Sequence, residues 1–418
     1  LYHQSLVLAT GQRTISQVIG YALFTLDSKR PSNTEKFCIP NINLGVSLLP
    51  SATVLYPEIP LEELSWPIFH QGVGAGLSVE RRNEAIDSSW IFFNRPEHPT
   101  PAFGGFLLGL GLCGKLRNLA AWHLYPNLAS RQDHVSVGLL MGMAASYAGS
   151  QDQRLTTMLS SGVDALLPRG AAELNISPIM QATSIFSLGL LHVGSGRHRL
   201  VDTALAEIGR RHLPGLSVKT NHREVYAFSS AIALGLMMLG RGGLNREQDT
   251  RCVSVLRSYF VEVEQLDQDE SSEQQDEGHD VNITAPGATL ALGMMYLRTE
   301  REDIACQLSA PQNTFELDHV RPDMLIIRML SYNMIMWKRI QPTQTWLDSQ
   351  IPTFIQNAWR RKNREHLDEM VELAYFNILA GAGYALGLKF AGTMDQTAHI
   401  MLLKIFDVFS TQLRQNRE

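Results

Sequence analysis

The chain has 418 residues, 44% of them apolar, a net charge of −5 and a pI near 6.2. That apolar content excludes a disordered or fibrous chain, since at this length about 75% of the unfolded surface can be buried. The mild acidity excludes a global field that draws the chain to nucleic acid or anionic lipid, so the expected partners are proteins.

The sequence opens at Leu1 without a starting Met or a signal peptide and ends in a run that is still amphipathic, which reads as a piece of a longer protein. Residues 1–65 read as a connecting segment at the end of a preceding domain. Pro31, Pro40, Pro50, Pro57, Pro60 and Pro67 break any helix in this region, and short strands are expected around Phe37 to Leu49. From residue 66 to 418 the chain reads as one all-α repeat domain.

Its signature is an eight-residue frame with a small residue third and usually a glycine last. A loose early copy around Gly76 sits in VGAGLSVE. LLGLGLCG follows with Gly109 third and Gly114 last, then GMAASYAG with Ala144 and Gly149, and SLGLLHVG with Gly189 and Gly194. After an amphipathic segment, Arg199 to Arg211, with Leu200, Ala204 and Ile208 on one face, ALGLMMLG brings Gly235 and Gly240. A second such segment, Arg251 to Val263, carries Val253, Leu256, Phe260 and Val263. Residues 262–280 are acidic and poor in apolar groups, which predicts a solvated, flexible loop. ALGMMYLR then supplies Gly293 but ends at Arg298, MLSYNMIM places Ser331 third, and ALGLKFAG closes the series with Gly387 and Gly392. The basic run Trp359 to His366 reads as a charged face between two repeats, with a nuclear-import patch as the alternative.

Each unit therefore reads as a helical hairpin, one helix apolar nearly all round and one amphipathic. Glycine within a helix costs about 1 kcal/mol relative to alanine, so its recurrence at one place calls for a compensating close approach of backbones. The last glycine suits the left-handed residue that ends a helix. Stacked hairpins of this kind bury a wall of small-residue helices and leave the polar ones outside.

No residue pattern points to chemistry. GLGLCG, Gly109 to Gly114, is a literal GxGxxG with Asp133 some twenty residues on, yet its frame returns elsewhere at helix ends rather than after a strand. The histidines form no HExxH, and His192 within an apolar run reads as a core residue. No nucleophile elbow and no buried carboxylate pair is present. Cys38, Cys113, Cys252 and Cys306 lie far apart without zinc or disulfide spacing, which fits a reducing compartment. No catalytic residue, cofactor or metal is expected. Gly76, Gly109, Gly114, Gly149, Gly189, Gly194, Gly235, Gly240, Gly293, Gly387 and Gly392 are the candidate structural positions.

The frame resembles the proteasome/cyclosome repeat, found in the two large non-ATPase subunits of the proteasome base and in the largest subunit of the anaphase-promoting complex. Gly104 to Asp152, LLPRGAAELNI from Leu166, ALAEIGRR from Ala204, Asp280 to Pro311 and WLDSQIP from Trp346 are similar to the latter. The resemblance covers about Tyr21 to Leu413. It implies repeats that close into an α/α toroid of two concentric helical rings, and a non-catalytic scaffold of a cell-cycle ubiquitin ligase in nucleus and cytoplasm. Its implied partners are the other subunits: scaffold, TPR, cullin and RING, and the small substrate-recruiting subunit. Ala144 and the Arg298 ending depart from the glycine pattern. The alternatives are a proteasome-base receptor and, on toroid shape alone, an α/α enzyme with carboxylates in its cavity.

Overall fold

A computed structural model of the chain describes residues 4–5, 29–32, 34–41, 45–48, 53–56, 59–79, 86–117, 119–128, 132–167, 176–210, 220–244, 246–260, 280–361 and 368–415. The acidic stretch up to residue 279, residues 168–175 of the LLPRGAAELNI segment and residues 362–366 of the basic run lie outside the described residues. Almost everything described is helical, as the all-α reading requires, and the chain divides into two compact units, 1–191 and 192–418.

In the first unit a short hairpin, β1 (Val46–Leu48) and β2 (Thr53–Leu55), pairs antiparallel with Val46 opposite Leu55. Helices follow: α1 (Leu61–Leu77), α2 (Ser88–Phe93), α3 (Pro101–Leu112), α4 (Ala121–Leu128), α5 (Asp133–Ser146), α6 (Gln153–Ser160) and α7 (Pro178–Leu191). Local chemistry sets their starts. Thr100 Oγ1 accepts the Phe103 N–H at 3.3 Å ahead of Pro101, whose missing donor is harmless in a first turn. Asp87 Oδ1 accepts Trp90 N–H at 2.7 Å and Asp152 Oδ1 accepts Leu155 N–H at 2.9 Å. The sequence of α3, PAFGGFLLGLGL, has no polar face, and Phe103, Phe106, Leu107 and Leu110 are buried.

One expectation fails here. Pro67 does not break a helix, because α1 starts at Leu61 and contains it. Pro67 removes one helical donor, but the carbonyl this frees belongs to exposed Glu63 near the helix start, while Phe69 and Val73 further along are buried. Burial of two such side chains, about 1.5–3 kcal/mol each, outweighs the kink.

The second unit carries α8 (His198–Ile208), α9 (Thr220–Met237), α10 (Arg246–Ser258), α11 (Val281–Met295), α12 (Glu302–Ala305), α13 (Thr314–Asp318), α14 (Met324–Ile335), α15 (Gln344–Gln350), α16 (Thr353–Arg361), α17 (Glu369–Phe390) and α18 (Gln396–Gln415). Apolar and amphipathic helices alternate from α8 to α11. The amphipathic α8 buries Leu200, Ala204 and Ile208 as its spacing predicts. Cys252 and Leu256 of α10 are buried, as are Tyr259 and Phe260 just beyond it; Leu256 and Phe260 belong to the expected face, Val253 is only half-buried, and Val263 lies outside the described residues. Helix α17 is long and apolar enough by length to cross a bilayer, but Val371, Ala374, Ile378, Leu379, Ala382 and Leu386 are buried inside the unit.

Candidate functional site

The first unit is built around glycine seams. Helix α3 lies between α1 and α5 and meets each with a different pair of glycines. Toward α1, a methyl group on Gly109 would fall 2.5 Å from the Val73 carbonyl oxygen and 2.8 Å from the Cα of Gly76, and one on Gly105 would overlap the Phe69 carbonyl. Toward α5, a methyl on Gly104 would overlap the His134 carbonyl and one on Gly111 the backbone of Gly142, while Gly138 abuts the Gly104 carbonyl. No side chain fits at these positions, so the helices touch through their backbones. Four glycines in α3 cost about 4 kcal/mol in helix propensity, at about 1 kcal/mol each. The four buried Phe and Leu side chains of the same helix contribute about 1.5–3 kcal/mol apiece and decide the balance.

Gly76 and Gly109 were legible from the frame; Gly72, Gly104, Gly105, Gly138 and Gly142 were not. A signal for them exists in the sequence. Pairs four residues apart, Gly72 and Gly76, Gly105 and Gly109, Gly138 and Gly142, recur every 33 residues and so fall on one face of three successive apolar helices.

The frame's last glycines do something else. Gly114, Gly149, Gly194, Gly240 and Gly392 have φ of +77, +72, +63, +63 and +73°, the left-handed region open to glycine. From this turn the chain clasps the following apolar helix. Gly149 N–H donates to Leu190 O at 3.0 Å and Gln151 N–H to Leu191 O at 3.1 Å. Gly194 and Gly196 donate in the same way to Leu236 and Met237, at 2.9 and 3.1 Å, and Gly240 and Gly242 to Met294 and Met295, at 3.1 and 2.8 Å. Arg298 and Glu300 do so to Met334 and Ile335, at 2.9 and 3.1 Å. Each acceptor pair is the last two residues of a helix, whose carbonyls have no intrahelical donor. Arg298 and Glu300 hold φ of +64 and +57° without glycine, so the clasp imposes the conformation on whatever side chain is there.

Two junctions replace the backbone clasp with a cation. After Gly114, Arg117 Nε donates to Ser146 O at 2.7 Å and Ser146 Oγ returns a bond to Gly111 O at 2.8 Å. Before α17 ends, Lys389 Nζ donates back to Trp337 O at 3.0 Å and Ile340 O at 2.7 Å.

The clasp also corrects a register. It grips the fourth and fifth residues of SLGLLHVG, ALGLMMLG and ALGMMYLR, and by the same rule the next frame starts at Ser331, two residues later than MLSYNMIM. Close approach agrees: a methyl on Gly235 would lie 3.1 Å from the Cα of Ala291, and one on Gly293 would lie 2.8 Å from the Cα of Ser331. Asn333 then occupies the third place, buried, its Nδ2 donating to Met329 O at 2.9 Å and Gln350 Oε1 at 3.0 Å. Gly189 is buried in α7. Gly387 departs from the expected close approach: a methyl there would meet nothing within 4 Å, and the tight contact of α17 belongs to Gly381, against the Ile326 carbonyl.

GLGLCG ends a helix, with Asp133 in the first turn of α5. His192 is fully buried, and burial lowers its pKa. Among the described residues no group of three His, Cys, Asp or Glu is placed to hold a metal ion. Among the described residues, the buried ionisable groups that sequence reading did not single out include Glu207, which accepts from Tyr226 and Arg210, and Asp249, whose Oδ2 accepts the Gly243 N–H at 2.6 Å.

Comparison with known proteins follows this architecture. Residues 1–148 match the family model described as the APC1 fourth domain, and residues 153–418 the one described as the APC1 fifth domain. Anaphase-promoting complex subunit 1 of Schizosaccharomyces pombe is 36% identical over 95% of the chain, and that of Homo sapiens is 34% identical over 96%. A protein of Emericella nidulans named negative regulator of mitosis is 35% identical over 95%. The chain spans 26%, 22% and 19% of these relatives' lengths, about a fifth to a quarter. With consecutive family models covering it almost end to end, the chain belongs to the APC1 family, that of anaphase-promoting complex subunit 1.

Proposed function

We propose that the chain is a non-catalytic scaffold portion of the anaphase-promoting complex, organising other subunits for ubiquitination of mitotic substrates. The observation that carries this is the pairing of subunit 1 relatives over nearly the whole chain with a core of backbone-contacting helices. Seams of that kind are stiff, because a shift of either helix drives backbone into backbone. A stiff surface is what a scaffold offers, since partners then bind without ordering it first. The TPR, cullin and RING subunits and the small substrate-recruiting subunit belong to the same proposal, as do closure into a two-ring toroid and residence in nucleus and cytoplasm.

The test is purification of the full-length protein from its own cells, with mass spectrometry of what travels with it. Cullin, RING and TPR subunits in fixed stoichiometry are the expected result. Proteasomal ATPases in their place would overturn it.

A further inference from the structure

A cleft of about 550 Å³ in the second unit is lined by residues from the end of α10 to α14. Its lining is mixed: Phe260, Ala285, Ala310, Val320 and Met324 are apolar, Asn282, Gln307, Glu316, His319 and Arg321 are polar, and the Phe315 ring stands 73% exposed at its rim. Arg328, on α14, also lines it. Its guanidinium makes no hydrogen bond or ion pair among the described residues, and the residue is half-buried. Burial lowers its pKa from the ordinary value, and no described carboxylate opposes that shift. The other charged groups of the cleft are already engaged. Arg321 holds Asp323 and Asn282 Oδ1, and Glu316 accepts from Gln312 N–H and Asn313 Nδ2. A second orphan lies close by in the lining, Gln307 Oε1, which is buried without a donor.

A cation partly withdrawn from water without a partner costs stability, because its desolvation is not offset. Fork-shaped donors of a guanidinium match the paired oxygens of a carboxylate or a phosphate. One cation that no described residue engages, beside apolar lining residues, suits one carboxylate with an apolar neighbour; a nucleic-acid backbone would call for a row of cations.

We propose that this cleft is a docking site for an extended segment of a protein partner carrying an aspartate or glutamate beside a large apolar side chain. The carboxylate pairs with Arg328, a backbone N–H of the segment satisfies Gln307 Oε1, and the apolar group rests on the wall of Phe260, Val320 and Met324. This goes beyond the scaffold reading, and it is measured on the protein without its complex, so either can fail alone.

The experiment selects a displayed random dodecapeptide library on the full-length protein, then titrates the best synthetic peptide. The expected result is enrichment of Asp or Glu next to Leu, Ile, Met or Phe, with affinity falling at least tenfold for Arg328→Met and for the peptide with its acid changed to the amide. Arg328→Met itself unfolds at an unchanged or higher temperature, since it removes a half-buried charge that no described residue pairs. Phe315→Ser, at an exposed site, weakens the peptide several-fold. Selection without acidic enrichment, or affinity indifferent to both variants, overturns the proposal. So does a marked fall in the unfolding temperature of Arg328→Met, which would make the guanidinium a structural group. Displacement of the peptide by millimolar inorganic phosphate would make the site a general anion site. Binding seen only after the acids between 261 and 279 are neutralised would make the occupant the chain itself.

Discussion

Tyr226 of α9 donates its hydroxyl hydrogen to Glu207 of α8 across 2.5 Å, and Arg210 Nη1 donates to the same Oε2 at 2.9 Å. Tyr226 is 1% exposed and Glu207 6%, so this carboxylate joins an amphipathic helix to an apolar one out of reach of bulk water. Burial and the Glu207 charge both raise the Tyr226 pKa, which keeps the phenol protonated as the donor. Tyr226→Phe leaves the shape and removes the donor, and is expected to destabilise the unit by about 1–3 kcal/mol, the usual effect of stripping a partner from a buried charged group. Denaturant unfolding of the wild type, Y226F, E207Q and the double variant measures it. The double variant should be less destabilised than the sum of the two single ones.

The glycine seams predict opposite signs for one substitution. Gly105→Ala drives a methyl into the Phe69 carbonyl, and overpacking against backbone costs about 3 kcal/mol or more. Gly387→Ala meets open space within α17 and is expected to stabilise by up to about 1 kcal/mol through helix propensity. Thermal unfolding of the two variants distinguishes them, and a loss at both positions would remove Gly387 from the open class.

At the clasps, Gly194→Ala keeps the donor N–H but forces a side chain to φ +63°, at about 1–2 kcal/mol. Arg298→Gly runs the other way, relieving a strained exposed residue at φ +64°, with a net gain below about 1 kcal/mol after glycine's own entropy. Hydrogen exchange at the Gly194 and Arg298 amides reads both effects locally: faster in the first variant, slower in the second.

Cys252 is 1% exposed, and burial, reinforced by Asp202 and Asp249, pushes its thiol up to about 11 from 9.0. At neutral pH, alkylation should mark exposed Cys38 and Cys306 and spare Cys252. A raised pKa means the folded state favours the protonated thiol. That contribution is intact below about pH 9 and is lost as pH rises toward 11. Tyr296, pushed up to about 12 by burial and Asp249, adds to the same alkaline limb. Stability curves from pH 8 to 11 should therefore fall less steeply for Cys252→Ala.

What the sequence made legible was whatever a single helix must declare for itself. The frame's closing glycines had to be glycine-like to turn left-handed, and Gly114, Gly149, Gly194, Gly240 and Gly392 do so. The face of α8 had to be apolar at Leu200, Ala204 and Ile208. Relations between helices were harder to see. Gly105 and Gly138 gain meaning from carbonyls on other helices, and the register at Ser331 is set by donors on Arg298 and Glu300, more than thirty residues upstream. Arg328 carries no motif, since its distinction is that no described residue pairs with it. The family resemblance rested on whole segments, which record those relations together.

The clasp has a direction. In each of its four backbone versions the donors precede the acceptors in the chain, by as few as 35 residues and as many as 54. On a ribosome the turn is therefore finished before the helix end it will hold has been made, and each newly released helix finds a waiting pair of amides. Synthesis and assembly run the same way, so a chain cut at its end keeps its earlier joints, while one cut at its start leaves carbonyls that nothing later can cover.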